Sequence, residues 1–289
     1  MMQAPDIGGM ILHHTADARE IAFELPWGGE AVIPLPQWEP IQLGGLAIDL
    51  SPTKHVIFML VAATLVLATM VATGRALERQ RARGGAPKGL PSMIEAMVLY
   101  IRNDVAIANI GRHRGAQFAP YILTLFWFIL YCNLLGLVPW GATATGNLMV
   151  TGALALTALA TIEISGMVAL GPKGYLKTIV FTPPGTTGIA AVILTAIMIP
   201  IEIIGKLVKP FALMLRLFAN MTAGHFVILS LLGIIFLFGN VAVIKYVVLG
   251  GSIFFVLFMM ALELFIALLQ AYIFALLTSV FIGMMQHEH

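Results

Sequence analysis

Between residues 188 and 238 the chain is apolar almost without a break, and near the middle of that run stands Arg216. A guanidinium does not shed its proton, and at the centre of a bilayer helix it costs about 2.5 to 3.5 kcal/mol even on the lenient insertion scale. A carboxylate one helical turn away would compensate it, yet Ala212, Leu213, Ala219 and Asn220 fill those positions. The partner is therefore remote or belongs to another chain. Ala212, Ala219, Asn220 and Ala223 also share a helical face with Arg216, and small residues on a face let another backbone come close in a membrane.

The remaining sequence sets the medium. Of 289 residues 60% are hydrophobic and 10% charged, against about 25% charged in soluble domains. A polytopic membrane protein of all-α class is expected, because helices satisfy their own backbone in lipid. Charge is unevenly placed. Before Lys54 the only base is Arg19, against seven acids from Asp6 to Asp49, whereas Arg75, Arg79, Arg81, Arg83 and Lys88 crowd the next charged region. The positive-inside rule puts that region in the cytoplasm and the N-terminal tail outside. Cys132, the single cysteine, lies in an apolar span and reads as a small filler.

Residues 1–53 form an extracytoplasmic segment, expected to be retained because it lacks a secretory signal pattern. The alternating stretches 20–25 and 31–35 predict a hairpin. His13 and His14 are adjacent, poor spacing for two ligands on one metal. Residues 54–289 form the membrane domain. The first span is 55–74, long enough for about 30 Å of hydrocarbon. Ser92 and Glu95 suggest a capping box opening a helix over 92–112. Its stripe of Ile94, Val98, Ile101 and Val105, interrupted by Arg102 and Asp104, predicts an amphipathic helix lying on the membrane surface. Residues 118–138 and 147–171 predict an upright transmembrane hairpin with Trp127 inside it and Trp140 at its outer turn. Glu163 lies well inside the second span. It is either a protonated structural residue or a functional acid, unless a partner neutralises it.

Pro183, Pro184 and Gly185 then break the chain. The two apolar runs that follow, 188–238 and 246–285, would reach about 75 and 60 Å as helices, too long for upright crossings. Splitting the first at 206–210 would put two lysines outside, against the charge rule. A long, strongly tilted two-helix hairpin fits better, with Pro200 and Pro210 bending its first arm.

Titrating groups are few in this hairpin. Glu202 precedes Arg216 by close to four turns, about 21 Å along the same face, too far for a salt bridge but suited to another station on that surface. His225 points elsewhere, half a turn out of phase. Glu263 and Gln270 share a face of the last helix, with Ala267 between them. His225 is either a packed, hydrogen-bonded core residue or half of a water-linked relay with Glu263, and the antiparallel partner helix favours the relay. Asn220 and Gln270 either orient water and the guanidinium or pair helices. Ala267, Ala271 and Ala275 read as a close-packing stripe.

LRLFANMTAGH around Arg216, LELFIALLQAYIFALLTSVF downstream and PYILTLFWFILYCNLLGLVP upstream resemble the paired segments of the a subunit of F-type ATP synthases, from about Thr53 to the C-terminus. That resemblance implies a multi-pass protein of the bacterial inner membrane, C-terminus cytoplasmic, whose tilted hairpin curves around a rotor ring. It implies partnership with the c-ring, b-type peripheral stalk subunits and protons, and no cofactor, metal or nucleic acid. Arg216 matches the arginine that faces the c-ring carboxylate and blocks a direct proton leak. Asn220, His225, Glu263 and Gln270 match positions of the outer half-channel and Glu202 one on the cytoplasmic side, with the acid and the histidine exchanged relative to some members. Glu163 has no counterpart role.

Two other classes remain to be weighed. A self-contained secondary ion transporter predicts internal repeats and discontinuous helices, and no convincing repeat joins the halves. A membrane haem protein needs a second deep histidine to pair with His225. The chain has no G-x-x-x-x-G-K-[ST] run, so any ATP chemistry belongs to other subunits.

Overall fold

The computed structural model describes residues 17–24, 30–43, 46–84, 86, 88–138, 141–180, 188–238 and 244–286. His13, His14, Trp27, Trp140 and the break at Pro183, Pro184 and Gly185 lie outside them. Five helices among the described residues are long and apolar enough to cross a membrane: α1 (Lys54–Ala82), α4 (Arg112–Gly136), α5 (Leu148–Ile179), α6 (Ile189–Phe238) and α7 (Ile244–Met284). Between α1 and α4 come α2 (Leu90–Tyr100), a π-helical stretch (Ile101–Ile107) and the single turn α3 (Ala108–Ile110). The protein is an all-α polytopic membrane protein. α6 runs for 50 residues through Pro200 and Pro210, and no turn interrupts it at residues 206–210.

The chain divides into two compact units. The first comprises Met1–Ala68, Phe128–Asn147 and Leu217–Gln270. Its tail holds two antiparallel hairpins, β1 (Glu20–Glu24) with β2 (Glu30–Pro34), and β3 (Ile41–Leu43) with β4 (Leu46–Ile48). The first joins the two alternating stretches as a hairpin, with Ala22 paired to Val32. The second has strands of three residues, too short to leave an alternating signature.

The tail also closes the start of α1, whose first turn carries no acid of its own. The Lys54 amide donates to the Ala18 carbonyl at 2.9 Å, and the His55 amide to Asp17 Oδ1 at 3.4 Å. Orphan amide groups of the first helical turn thus find partners in the two residues Asp17 and Ala18 ahead of β1. His55 Nδ1 lies 2.8 Å from the same Asp17 oxygen, and Asn147 Nδ2 donates to Asp17 Oδ2 at 3.1 Å.

The second unit comprises Thr69–Trp127, Leu148–Arg216 and Ala271–His289. Here the expected capping box is absent. α2 opens two residues early, at Leu90, after Gly89 with φ 74°, and no side chain caps it. Pro91 explains the early start, since its fixed φ suits the first helical turn and its missing amide needs no acceptor there. Glu95 reaches instead to the Arg81 guanidinium at 2.6 Å. Ile101 and Val105 are buried, together with Ala106 and Ile110, while Arg102 and Asp104 stay exposed. Against this stretch packs the end of α7, where Gly283 meets the Asn109 carbonyl so closely that no Cβ fits. The Tyr100 and Tyr272 rings stack at 6.2 Å.

α5 is broken at Gly171, where φ 70° and ψ 168° leave helical space just before Pro172. Glycine reaches that backbone conformation without a Cβ penalty, and proline cannot restore the lost hydrogen bond. The helical segment after the break carries Lys173, Tyr175 and Lys177.

Candidate functional site

α6 buries a stripe of Leu213, Leu217 and Met221 at intervals of one turn. Ala212, Arg216, Ala219, Asn220 and Ala223 are all exposed. The arginine thus stands on an open surface of small side chains. Ion pairs among the described residues include Arg19 with Asp49, His55 with Asp17, Arg81 with Glu95 and Lys206 with Glu163, and Arg216 takes part in none.

Within the first unit the chain brings Glu263 against α6. Its carboxylate lies on Gly224, the residue before His225, so closely that a Cβ on Gly224 would overlap it. Glu263 is 5% exposed and its Oε2 has no hydrogen-bond partner among the described residues. The His225 Nε2 reaches Gly136, at 3.1 Å from where a Cβ there would sit, beside Thr143. The two titrating side chains therefore occupy neighbouring sites around one turn of α6. Gln270, also 5% exposed, is buried as well.

Sequence reasoning missed the polar network beside them. Asn133, almost wholly buried, donates from Nδ2 to the Ala267 carbonyl at 3.2 Å, one turn after Glu263. Thr145 donates to Asn133 Oδ1 at 2.5 Å, Thr143 and Thr145 share a hydrogen bond at 2.8 Å, and Thr143 reaches the Cys132 carbonyl at 3.3 Å. An asparagine inside the apolar run of α4 was the available signal, because a buried amide must find partners. Cys132 itself is fully buried, which suits a filler.

The second unit holds the other polar cluster. Tyr175 donates a hydrogen bond to Glu163 Oε2, and Lys206 Nζ lies 3.6 Å from the same oxygen. In an unbroken helix Tyr175 would stand about 18 Å beyond Glu163. The break at Gly171 is what returns its hydroxyl to the carboxylate. Glu163 is thus not a lone acid: it has a lysine as counter-ion. At 3.6 Å the pair is a charge contact and not a hydrogen bond, which agrees with Lys206 Nζ being buried without a hydrogen-bond acceptor. The ammonium also sits 4.5 Å above the Tyr175 ring, a cation–π placement. Glu163, Glu202, Lys206 and Lys209 together line a cavity of about 210 Å³, closed on another side by Phe281, Met284 and Met285.

Two carboxylates and two lysines line one cavity, and elsewhere a buried carboxyl lies against the turn of α6 that carries His225; carboxyl and imidazole groups can exchange protons with water.

Comparison with known proteins gives the family. The family described as "ATP synthase A chain" matches residues 56–283. The chain is 44% identical to the ATP synthase subunit a of Chloroherpeton thalassium over 278 residues, 96% of this chain and 77% of that one. It is 45% identical to the subunit a of Myxococcus xanthus over 84% of this chain and 76% of its relative. With ATP synthase subunit a 2 of Chlorobaculum tepidum the identity is 44%, over 96% and 72%. From the family match across nearly all its membrane helices, and from relatives this similar over most of their length, the chain belongs to the ATP synthase subunit a family.

Proposed function

We propose that this chain is the stator subunit that carries protons to and from a rotor ring through two offset half-channels, and so couples proton-motive force to rotation and ATP synthesis. Protons enter from outside through the polar surroundings of His225 and Glu263, with Asn220 and Gln270 ordering water between them and the rotor. They neutralise a carboxylate on a neighbouring ring subunit, which then turns through lipid. They leave on the cytoplasmic side through the cavity at Glu202. Arg216 attracts each deprotonated rotor site and blocks a direct path between the two half-channels. The c-ring and b-type stalk subunits are the partners, and ATP is made on other subunits. One charge crossing 100 mV delivers about 2.3 kcal/mol, so several protons are coupled to each ATP.

The observation that carries this reading is Arg216 itself, a permanent cation exposed on a face of small residues and without an ion pair among the described residues. A moving acid on another chain meets that demand. Replacing Arg216→Ala tests it: coupled ATP synthesis in proteoliposomes is lost while the complex still assembles. Near-normal synthesis by the assembled mutant would overturn the role.

A further inference from the structure

Glu202 and Lys206 are one turn apart on α6, with the acid nearer the N-terminus, the arrangement that favours an i,i+4 ion pair. The lysine forms no ion pair with it. Its ammonium lies against Glu163 of α5 at 3.6 Å and over the Tyr175 ring at 4.5 Å, while Tyr175 donates its hydroxyl proton to Glu163. Lys209, the cavity's other cation, stands 5.1 Å from the centre of the Phe281 ring. Among the described residues no ion pair forms at Glu202. Lys206 Nζ makes no hydrogen bond, so charge and ring contact alone hold it, with a competing carboxylate on its own helix facing the same cavity.

We propose that Glu163 and Tyr175 are positioning residues that hold Lys206 off Glu202 and so keep the Glu202 carboxylate open to water and protons. This rests on the reading of Glu202 as part of the proton exit. With Glu163 uncharged, the ammonium turns to Glu202 and pairs with it. A paired carboxylate favours its ionised form and exchanges protons less readily.

The two halves of the pair are therefore unequal, and the test uses that inequality. Passive proton conduction per assembled membrane sector is measured in proteoliposomes from the quenching of a pH-sensitive dye under a potassium diffusion potential. Glu163→Gln slows conduction about tenfold, within the range of coupling between contacting residues. Lys206→Gln stays near wild type, because no cation is left to close on Glu202. Glu163→Gln with Lys206→Gln returns to the level of Lys206→Gln alone. Tyr175→Phe slows conduction in the same direction but less, and stands in for Glu163→Gln if that variant fails to assemble.

A purely structural ion pair predicts otherwise, since removing either partner strands the other charge. Slowing by Lys206→Gln equal to that by Glu163→Gln, a double variant no faster than Glu163→Gln, or wild-type conduction in both Glu163→Gln and Tyr175→Phe would each overturn the proposal. Glu202→Gln is measured alongside. If it leaves conduction unchanged, the exit reading itself has failed; if it slows conduction while Lys206 behaves symmetrically, only the positioning role has.

Discussion

Asn133 ties α4 to α7 by donating to the carbonyl of Ala267 at 3.2 Å, inside a segment where almost every neighbour is apolar. Its own carbonyl is taken by Thr145, so both ends of one amide are satisfied within the membrane domain. That amide fixes the height of α7, and with it the place of Glu263 one turn earlier.

Asn133→Ala should lower the stability of the assembled protein by about 1 to 2 kcal/mol, because it removes both side-chain hydrogen bonds of a buried amide, one to the Ala267 carbonyl and one from Thr145. Denaturant titration of the purified membrane sector measures this. A loss no larger than that from Thr64→Ala, whose exposed hydroxyl bonds only its own helix, would count against the network.

Gly224 and Gly205 are both glycines within α6, yet only the first is crowded. A Cβ on Gly224 meets the Glu263 carboxylate, whereas one on Gly205 meets nothing within 4 Å. Gly224→Ala is expected to displace Glu263 and slow proton conduction markedly, and Gly205→Ala to leave it close to wild type. Equal effects from the two would show that the Glu263 position does not matter to conduction.

At the other end of α7, Gly283 lies on the Asn109 carbonyl. Gly283→Val should push the 101–110 segment away, since a branched side chain has no space there and overpacking costs about 1 to 3 kcal/mol. Faster hydrogen exchange in residues 101–110 is the expected readout, and unchanged protection would contradict the contact.

The tail carries one group with a defined response to pH. Hydrogen bonds from Ser51, together with the Arg19 guanidinium at 2.6 Å, hold the Asp49 carboxyl below its ordinary value of 3.8. A lowered acid adds stability above its unfolded value, and that contribution is lost as pH falls through the folded one. Protease cleavage within residues 30–53 should therefore rise below about pH 4, and Ser51→Ala should move that onset to higher pH. An onset unmoved by Ser51→Ala would exclude Asp49 as its source.

What could be read in advance depended on how local the signal was. The stranded charge at Arg216 and the small residues beside it are set by positions one turn apart, so helical periodicity sufficed. The capping box at Ser92 looked equally local, but Glu95 had a better partner in Arg81, on a different helix. Glu163 illustrates the limit. Its neutralising lysine lies on another helix, and its tyrosine arrives only because the backbone leaves helical space at Gly171. The Asn133 network depends in the same way on the turn that brings Thr143 and Thr145 back onto α4.

The central claim concerns what faces Arg216, and a side-chain-resolution density map of the assembled membrane sector tests it most directly. The account predicts a carboxylate of a ring subunit opposite the guanidinium, at the roughly 4 Å of an ion pair or one water further. A guanidinium already paired with an acid of its own chain, or facing only lipid with no ring carboxylate able to reach it, would contradict the account.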